Sequence, residues 1–186
     1  MLETILFWGA IIVVVIAALY LFSVYNGLIR KKNRVENAWA QIDVQLKRRT
    51  DLIPNLVSSV KGYMKHEKSV LTELTKARSA IMKATSPGSK AKASSGITSA
   101  LKSLFAVAEN YPNLKANENF MHLQEELSGT ENKIAYSRQH YNDSVMEFNI
   151  SIQVFPNRVF AKRMGFGKKE MFDVPEADKK PVKVEF

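Results

Sequence analysis

The 186-residue chain contains no cysteine, which excludes disulfides and thiolate metal sites without identifying a redox compartment. Glycine and proline are sparse, eight and six, and most lie near the ends or in one short linker. Long uninterrupted elements are expected, and helices before strands. Histidine occurs three times. Three residues before His66, His122 and His140 stand Tyr63, Asn119 and Ser137, so the Glu-x-x-His pairs of a di-iron bundle are missing. His66-Glu67 opens like a zinc-protease helix, but Val70 occupies the place of the second histidine. No G-x-S-x-G, phosphate loop or dinucleotide fingerprint occurs. Glu118, Glu125, Glu126 and Glu131 share one helical stretch but scatter over its faces, as a solvated surface does. The sequence predicts no enzyme, no cofactor and no metal.

Charge is also missing from a long stretch. Between Glu3 and Arg30 there is none, and ILFWGAIIVVVIAALYLFSV, residues 5–24, is almost pure hydrocarbon. At about 1.5 Å per residue this run covers roughly 30 Å, the thickness of a bilayer's hydrocarbon core. A cleaved signal peptide fits worse, because Glu3 replaces the usual basic residue, the run is too long and no A-x-A site follows. β-Branched residues around the whole circumference leave no polar stripe for a soluble helix. Trp8 and Tyr20 stand near the two ends, as interfacial aromatics do. Arg30, Lys31, Lys32 and Arg34 follow the span, so the positive-inside rule places the rest of the protein in the cytoplasm.

Beyond residue 25 the apolar residues recur at helical spacing, in four stripes. Val35, Trp39, Ile42 and Leu46 make the first; Leu56, Val60, Tyr63, Leu71, Leu74 and Ile81 lie on the second, which two charges, Glu67 and Arg78, interrupt. SPGSKAKASSG, residues 86–96, reads as a turn with a weak helix start. Ile97, Leu101, Leu104, Phe105 and Ala108 form the third stripe, ended at Pro112, and Phe120 to Phe155 the fourth and longest. Period-2 alternation is absent. The expected fold is all-α: a single transmembrane helix over 1–24, an antiparallel up-and-down four-helix bundle over 25–157, and a basic aromatic collar with a flexible tail over 158–186.

QLKRRTDLIPNLV, residues 45–57, admits two readings. Asp51 can cap a new helix with Pro54 in its first turn, Lys47, Arg48 and Arg49 ending the helix before it. Alternatively one helix continues through Pro54, as the heptad phase of Leu46, Ile53 and Val60 supports. The turn is favoured, since a helix from Tyr25 to Thr85 would run roughly 90 Å, about twice the length of its partners. Asp43 with Arg138, or Glu131 with Arg78, are candidate buried pairs that fix register; a ligand groove lined by such groups is the sharper alternative.

The strings YNGLIRKKNRVENAWAQIDVQLKRRTDLIPNLVSSVKGY, ENYPNLKANENF, LQEELSGTENKIAYSRQHYNDSV and EFNISIQVFP, in this order, resemble the LemA family of bacterial membrane proteins across nearly the whole chain. The resemblance implies one membrane helix before an up-and-down four-helix bundle in the bacterial plasma (inner) membrane, single-pass. It implies no activity; some members accompany membrane metalloproteases, and one relative organises magnetosome membranes. The serine-rich 86–100 segment departs most from the family pattern.

The net charge of +9 raises the question of partners. Nucleic acid is not expected, because the aromatics sit in the stripes and form no stacking platform. An antiparallel bundle would return Arg158, Lys162, Arg163, Lys168 and Lys169 to the neighbourhood of Arg30, Lys31, Lys32 and Arg34. FPNRVFAKRMGFGKKEMF interleaves those cations with apolar residues that either dip into anionic lipid or close the bundle's open end. Lys47, Arg48, Arg49 and Asp51 are the candidate partner surface at the other end. The expected function is therefore a membrane-anchored scaffold that self-associates, as a homo-oligomer, or docks a membrane protein partner; the alternative is a lipid-facing module that organises or remodels a bilayer with anionic lipids.

Overall fold

The computed structural model describes residues 1–64 and 66–173, so the expected flexible tail, Asp173 apart, lies outside the described residues. Every regular element among them is helical: α1 Leu2–Lys61, α2 Lys68–Lys83, α3 Pro87–Ala108, α4 Pro112–Lys115, α5 Glu118–Ser151 and α6 Asn157–Arg163. The all-α expectation holds. One helix, α1, is long and apolar enough to cross a membrane, and it contains the uncharged run.

The turn expected at Asp51 is corrected: α1 is unbroken for 60 residues with Pro54 inside it. Proline has no N–H to give the carbonyl four residues back, which is that of Thr50. Arg78 Nε, from α2, donates to that carbonyl instead at 3.2 Å. The buried positions also run through the proline in phase, Leu46, Arg49, Ile53, Leu56 and Val60. Asp51 sits mid-helix, accepting from Lys47 Nζ at 3.2 Å, and the chain turns only between Lys61 and Lys68.

Arg78→Met should cost about 1–3 kcal/mol, the penalty for leaving a buried carbonyl unpaired. In a Pro54→Ala background most of that loss should vanish, because the restored amide reaches Thr50. Urea unfolding of the four proteins in detergent micelles measures the coupling. Additive losses would show that Arg78 does not stand in for the missing amide.

SPGSKAKASSG, expected as a turn with a weak helix start, is ordered helix from Pro87 onward, and the break from α2 lies just before it. Ser86 accepts from Ser89 N at 3.2 Å and gives its own N–H to Ser89 Oγ at 3.0 Å, with Pro87 in the first helical position. The small residues behind this cap, Ala91, Ala93 and Ser94, are buried, and α2 packs against α3. α3 stops at Ala108, just ahead of Pro112 as the sequence predicts. α5 buries Phe120, Leu127, Thr130, Ile134, Ser137, Tyr141, Val145 and Phe148, most of the fourth stripe.

Two compact units make up the chain. One comprises Met1–Asn37 and Asp143–Lys169; the other comprises Ala38–Asn142 and the segment beginning at Glu170. The first unit buries Leu28, Val35, Val145, Phe148, Ile152 and Ala161. In the second, Trp39 stacks at a tilt on Tyr141, 5.3 Å between ring centres, and on Phe172 at 6.2 Å.

Candidate functional site

In the first unit, α6 ends in a turn that decides where the basic segment goes. Phe166 N donates to Ala161 O at 3.0 Å and Gly165 N to Lys162 O at 3.4 Å, the paired bonds of a Schellman cap. Gly165 has φ +75°, a conformation that a side chain would strain. The reversal sends Phe166 back onto Phe148, 6.3 Å away, and Tyr25, 6.5 Å away. Tyr25 directly follows the hydrocarbon run of residues 5–24. Tyr25, Ile29 and Lys32 of α1 thus share one depression of about 450 Å³ with Met164, Lys168 and Lys169.

The nine cations expected to form a collar divide by their engagements. Glu147 accepts from Lys31 Nζ at 2.5 Å and from Arg34 Nη1 at 2.8 Å, and Lys32 pairs with Glu36 at 3.7 Å. The bond from Lys31 holds the Glu147 carboxyl below the usual carboxylate range, against a smaller opposing effect of burial. A depressed carboxylate contributes stability above the ordinary Glu range, and that contribution is lost as pH falls through its lowered pKa. Arg30 Nε donates to Asn26 O at 3.3 Å. Among the described residues Arg158, Lys162, Arg163, Lys168 and Lys169 have no carboxylate partner.

The apolar residues woven between these cations divide too. Phe166 packs inward in this unit, and Phe172 is buried in the other. Val154, Phe155, Val159 and Met164 are exposed, Phe155 at 84%. Closing a core and facing outward are therefore tasks of different residues, which the sequence presents as one interleaved string.

The candidate partner surface in the second unit loses one member. Arg49 is 2% exposed and turned inward, with Nη1 2.7 Å from Glu131 Oε2 and Nη2 donating to Thr98 Oγ1 at 3.1 Å. Burial pulls its pKa down while Glu131 pushes it up. The Nη1 contact is an ion pair by distance without hydrogen-bond alignment, and Nε has no acceptor. Lys47 and Arg48 do reach the surface, paired with Asp51 and with Glu126 at 2.5 Å. Asp43 pairs with Lys90 rather than Arg138, and Glu131 with Arg49 rather than Arg78.

Two asparagines on α5 fasten the chain that follows it. Asn149 donates to Lys169 O at 2.9 Å and accepts from Lys169 N at 2.8 Å, within the first unit. Within the second, Asn142 donates to Phe172 O at 3.0 Å and accepts from Phe172 N at 2.8 Å. Tyr141 adds a bond to Glu170 O at 2.7 Å, and burial, with the Glu170 charge, pushes its phenol up to about 12. Their spacing on a mostly buried stripe marks them as partnered inside, but not with what.

Comparison with known proteins gives consistent results. The LemA family model matches residues 38–186. The chain is similar to Protein LemA of Metamycoplasma hominis, 28% identical over 158 residues that cover 83% of this chain and 71% of that protein. It is similar to Magnetosome protein MamQ of Magnetospirillum gryphiswaldense, 24% identical over 184 residues, 85% of this chain and 68% of that one. A shorter match, 32% identical over 90 residues, links 48% of this chain to 33% of Magnetosome protein MamQ 2 of Paramagnetospirillum magneticum.

Proposed function

We propose, since the chain belongs to the LemA family, that it works without catalysis as a single-pass scaffold of the bacterial inner membrane, its helical body held against anionic lipid. In this reading residues 5–24 span the bilayer and the remainder is cytoplasmic. α1 beyond the span, with α2, α3 and α5, supplies the four helices of an antiparallel bundle. The observation that carries the reading is the first unit's depression, where residues 164–169 meet α1 at Tyr25, Ile29 and Lys32, directly after the span. Five cations without carboxylate partners and four exposed apolar side chains accompany that contact, the combination an interfacial segment uses. Protein docking at Lys47, Arg48, Arg49 and Asp51 has less support, because Arg49 is buried and the other three are already in ion pairs.

A chain beginning at Asn26 should sediment with anionic vesicles and far less with neutral ones. Each Lys or Arg near an anionic surface is worth about 1 kcal/mol, and salt weakens the attraction within a Debye length. Exchanging Arg158, Lys162, Arg163, Lys168 and Lys169 for Gln should abolish the binding, whereas exchanging Lys47 and Arg48 should leave it nearly unchanged. Equal losses from the two exchanges would remove the collar as the lipid contact.

A further inference from the structure

A second basic surface lies in the second unit, where Val57 and Lys61 of α1 face one side of α2 across an open groove of about 780 Å³. Lys68, Lys76 and Lys83 line it from α2, with Thr72, Thr75 and Ser79 along the middle of the lining face and Leu71 and Ala80 at its two edges. Leu74 and Ile81, the buried residues of α2, are on another. Lys68 and Lys83 stand about 22 Å apart at the rise of an α-helix, so the groove is about four turns long.

Four cations gather around this groove. Lys61, Lys68, Lys76 and Lys83 are all exposed, and none has a carboxylate partner among the described residues. Asp43, Asp51, Glu109, Glu126 and Glu131 are each engaged by another cation, Lys90, Lys47, Lys115, Arg48 and Arg49 in turn. Glu73, the one acid within α2, does not line the groove. Four unneutralised ammonium groups therefore border a lining in which Val57, Leu71 and Ala80 flank Thr72, Thr75 and Ser79.

We propose that this groove docks an acidic amphipathic helix of a partner protein, its apolar stripe on Val57, Leu71 and Ala80 and its carboxylates on the four lysines. Helix-in-groove recognition sets apolar anchors into such a depression, where the Thr72 and Thr75 methyls add to Val57, Leu71 and Ala80, and the lysine borders select the sign of the occupant. A second copy is disfavoured as occupant by the net charge of +9, which makes like chains repel. The site is separate from the collar and does not depend on it.

The test uses the full chain in zwitterionic lipid nanodiscs and a labelled 16-residue helix-forming peptide with a leucine stripe between two rows of Glu. Anisotropy should report binding of this peptide and at least ~10-fold weaker binding of its Glu→Gln version. Exchanging Lys61, Lys68, Lys76 and Lys83 together for Gln should weaken the acidic peptide ~10-fold or more, since an exposed ion pair is worth up to about fivefold. The five collar exchanges should leave it unchanged. All four groove lysines are exposed, so helicity by circular dichroism should be the same in every variant. Undiminished binding to the quadruple variant, or equal binding of the two peptides, overturns the proposal. It is also overturned if the four lysines prove to be needed for self-association in light scattering, or if anionic lipid displaces the peptide through them.

Discussion

Replacing Glu131 by Ala should lower the unfolding free energy of the full chain by about 3 kcal/mol, the low end of what breaking a buried ion pair costs. The low end applies because the Glu131 side chain is 42% exposed, whereas Arg49 is almost wholly inside. Removing the carboxylate strands a guanidinium whose Nε already lacks an acceptor, leaving Thr98 Oγ1 alone to meet it. Arg49→Met should be milder, because the charge goes and a hydrocarbon of similar length stays in its place. The order of the two losses is therefore diagnostic. Urea unfolding in detergent micelles, followed by circular dichroism, reads both. An Arg49→Met loss that exceeds the Glu131→Ala loss would mean that Arg49 stabilises by packing its methylenes and not by compensating a buried charge.

Trp39→Ala should cost a similar amount, about 3 kcal/mol. The indole is half-buried, which again selects the low end of the range for a large aromatic. It touches the rings of Tyr141 and Phe172, and Lys90 Nζ lies 5.3 Å from its ring centre while also meeting Asp43. Truncation removes the surface on which Phe172 rests, so hydrogen exchange at the Phe172 amide, held by Asn142, should speed up with the loss of stability. Trp39→Phe should recover much of both effects. A loss of a few tenths of a kcal/mol, typical of surface positions, would show that the indole serves a contact with another molecule instead.

The helical character, the uncharged run and the break before Pro112 were legible because each is a local pattern: spacing, absence of charge, and the stereochemistry of proline. The passage through Pro54 was not, because the group that makes it tolerable, Arg78, stands 28 residues beyond Thr50, whose carbonyl it serves, and no local rule links the two. Part of the signal was nevertheless present. Leu46, Arg49, Ile53, Leu56 and Val60 keep steps of three and four across the proline, and the same register places Arg49 on the buried face. Grouping Arg49 with Lys47 and Arg48 as one charged cluster hid this, since three adjacent helical residues point in different directions. Its pairing with Glu131, and that of Asp43 with Lys90, needed the folded chain: several acids and bases of suitable polarity were available to each. The SPGS cap was readable as a capping motif, but the small residues behind it looked like low complexity, and only burial shows why they are small.

The collar's candidate residues were legible as a composition and not as a division of labour. Nothing in FPNRVFAKRMGFGKKEMF tells Phe155, which is exposed, from Phe166, which is tucked behind a left-handed glycine. That distinction arises from the Schellman turn at Gly165, and hence from the backbone geometry of the cap rather than from hydrophobicity.

A primary amide can present one of its N–H donors and its oxygen at nearly the same separation as a peptide unit, so Asn149 and Asn142 hold Lys169 and Phe172 as a neighbouring β-strand would, by main chain alone. Such a grip is indifferent to the identity of the residue gripped. Lys169 can become Gln, Glu or Ser with its backbone still fastened, so evolution is free to retune the charge of this segment without re-solving how to attach it. The constraint falls on the other side of each contact. Asp in place of either asparagine, whether by mutation or by slow deamidation as the protein ages, would set a carboxylate against a carbonyl oxygen and release the segment while leaving every lysine in it intact.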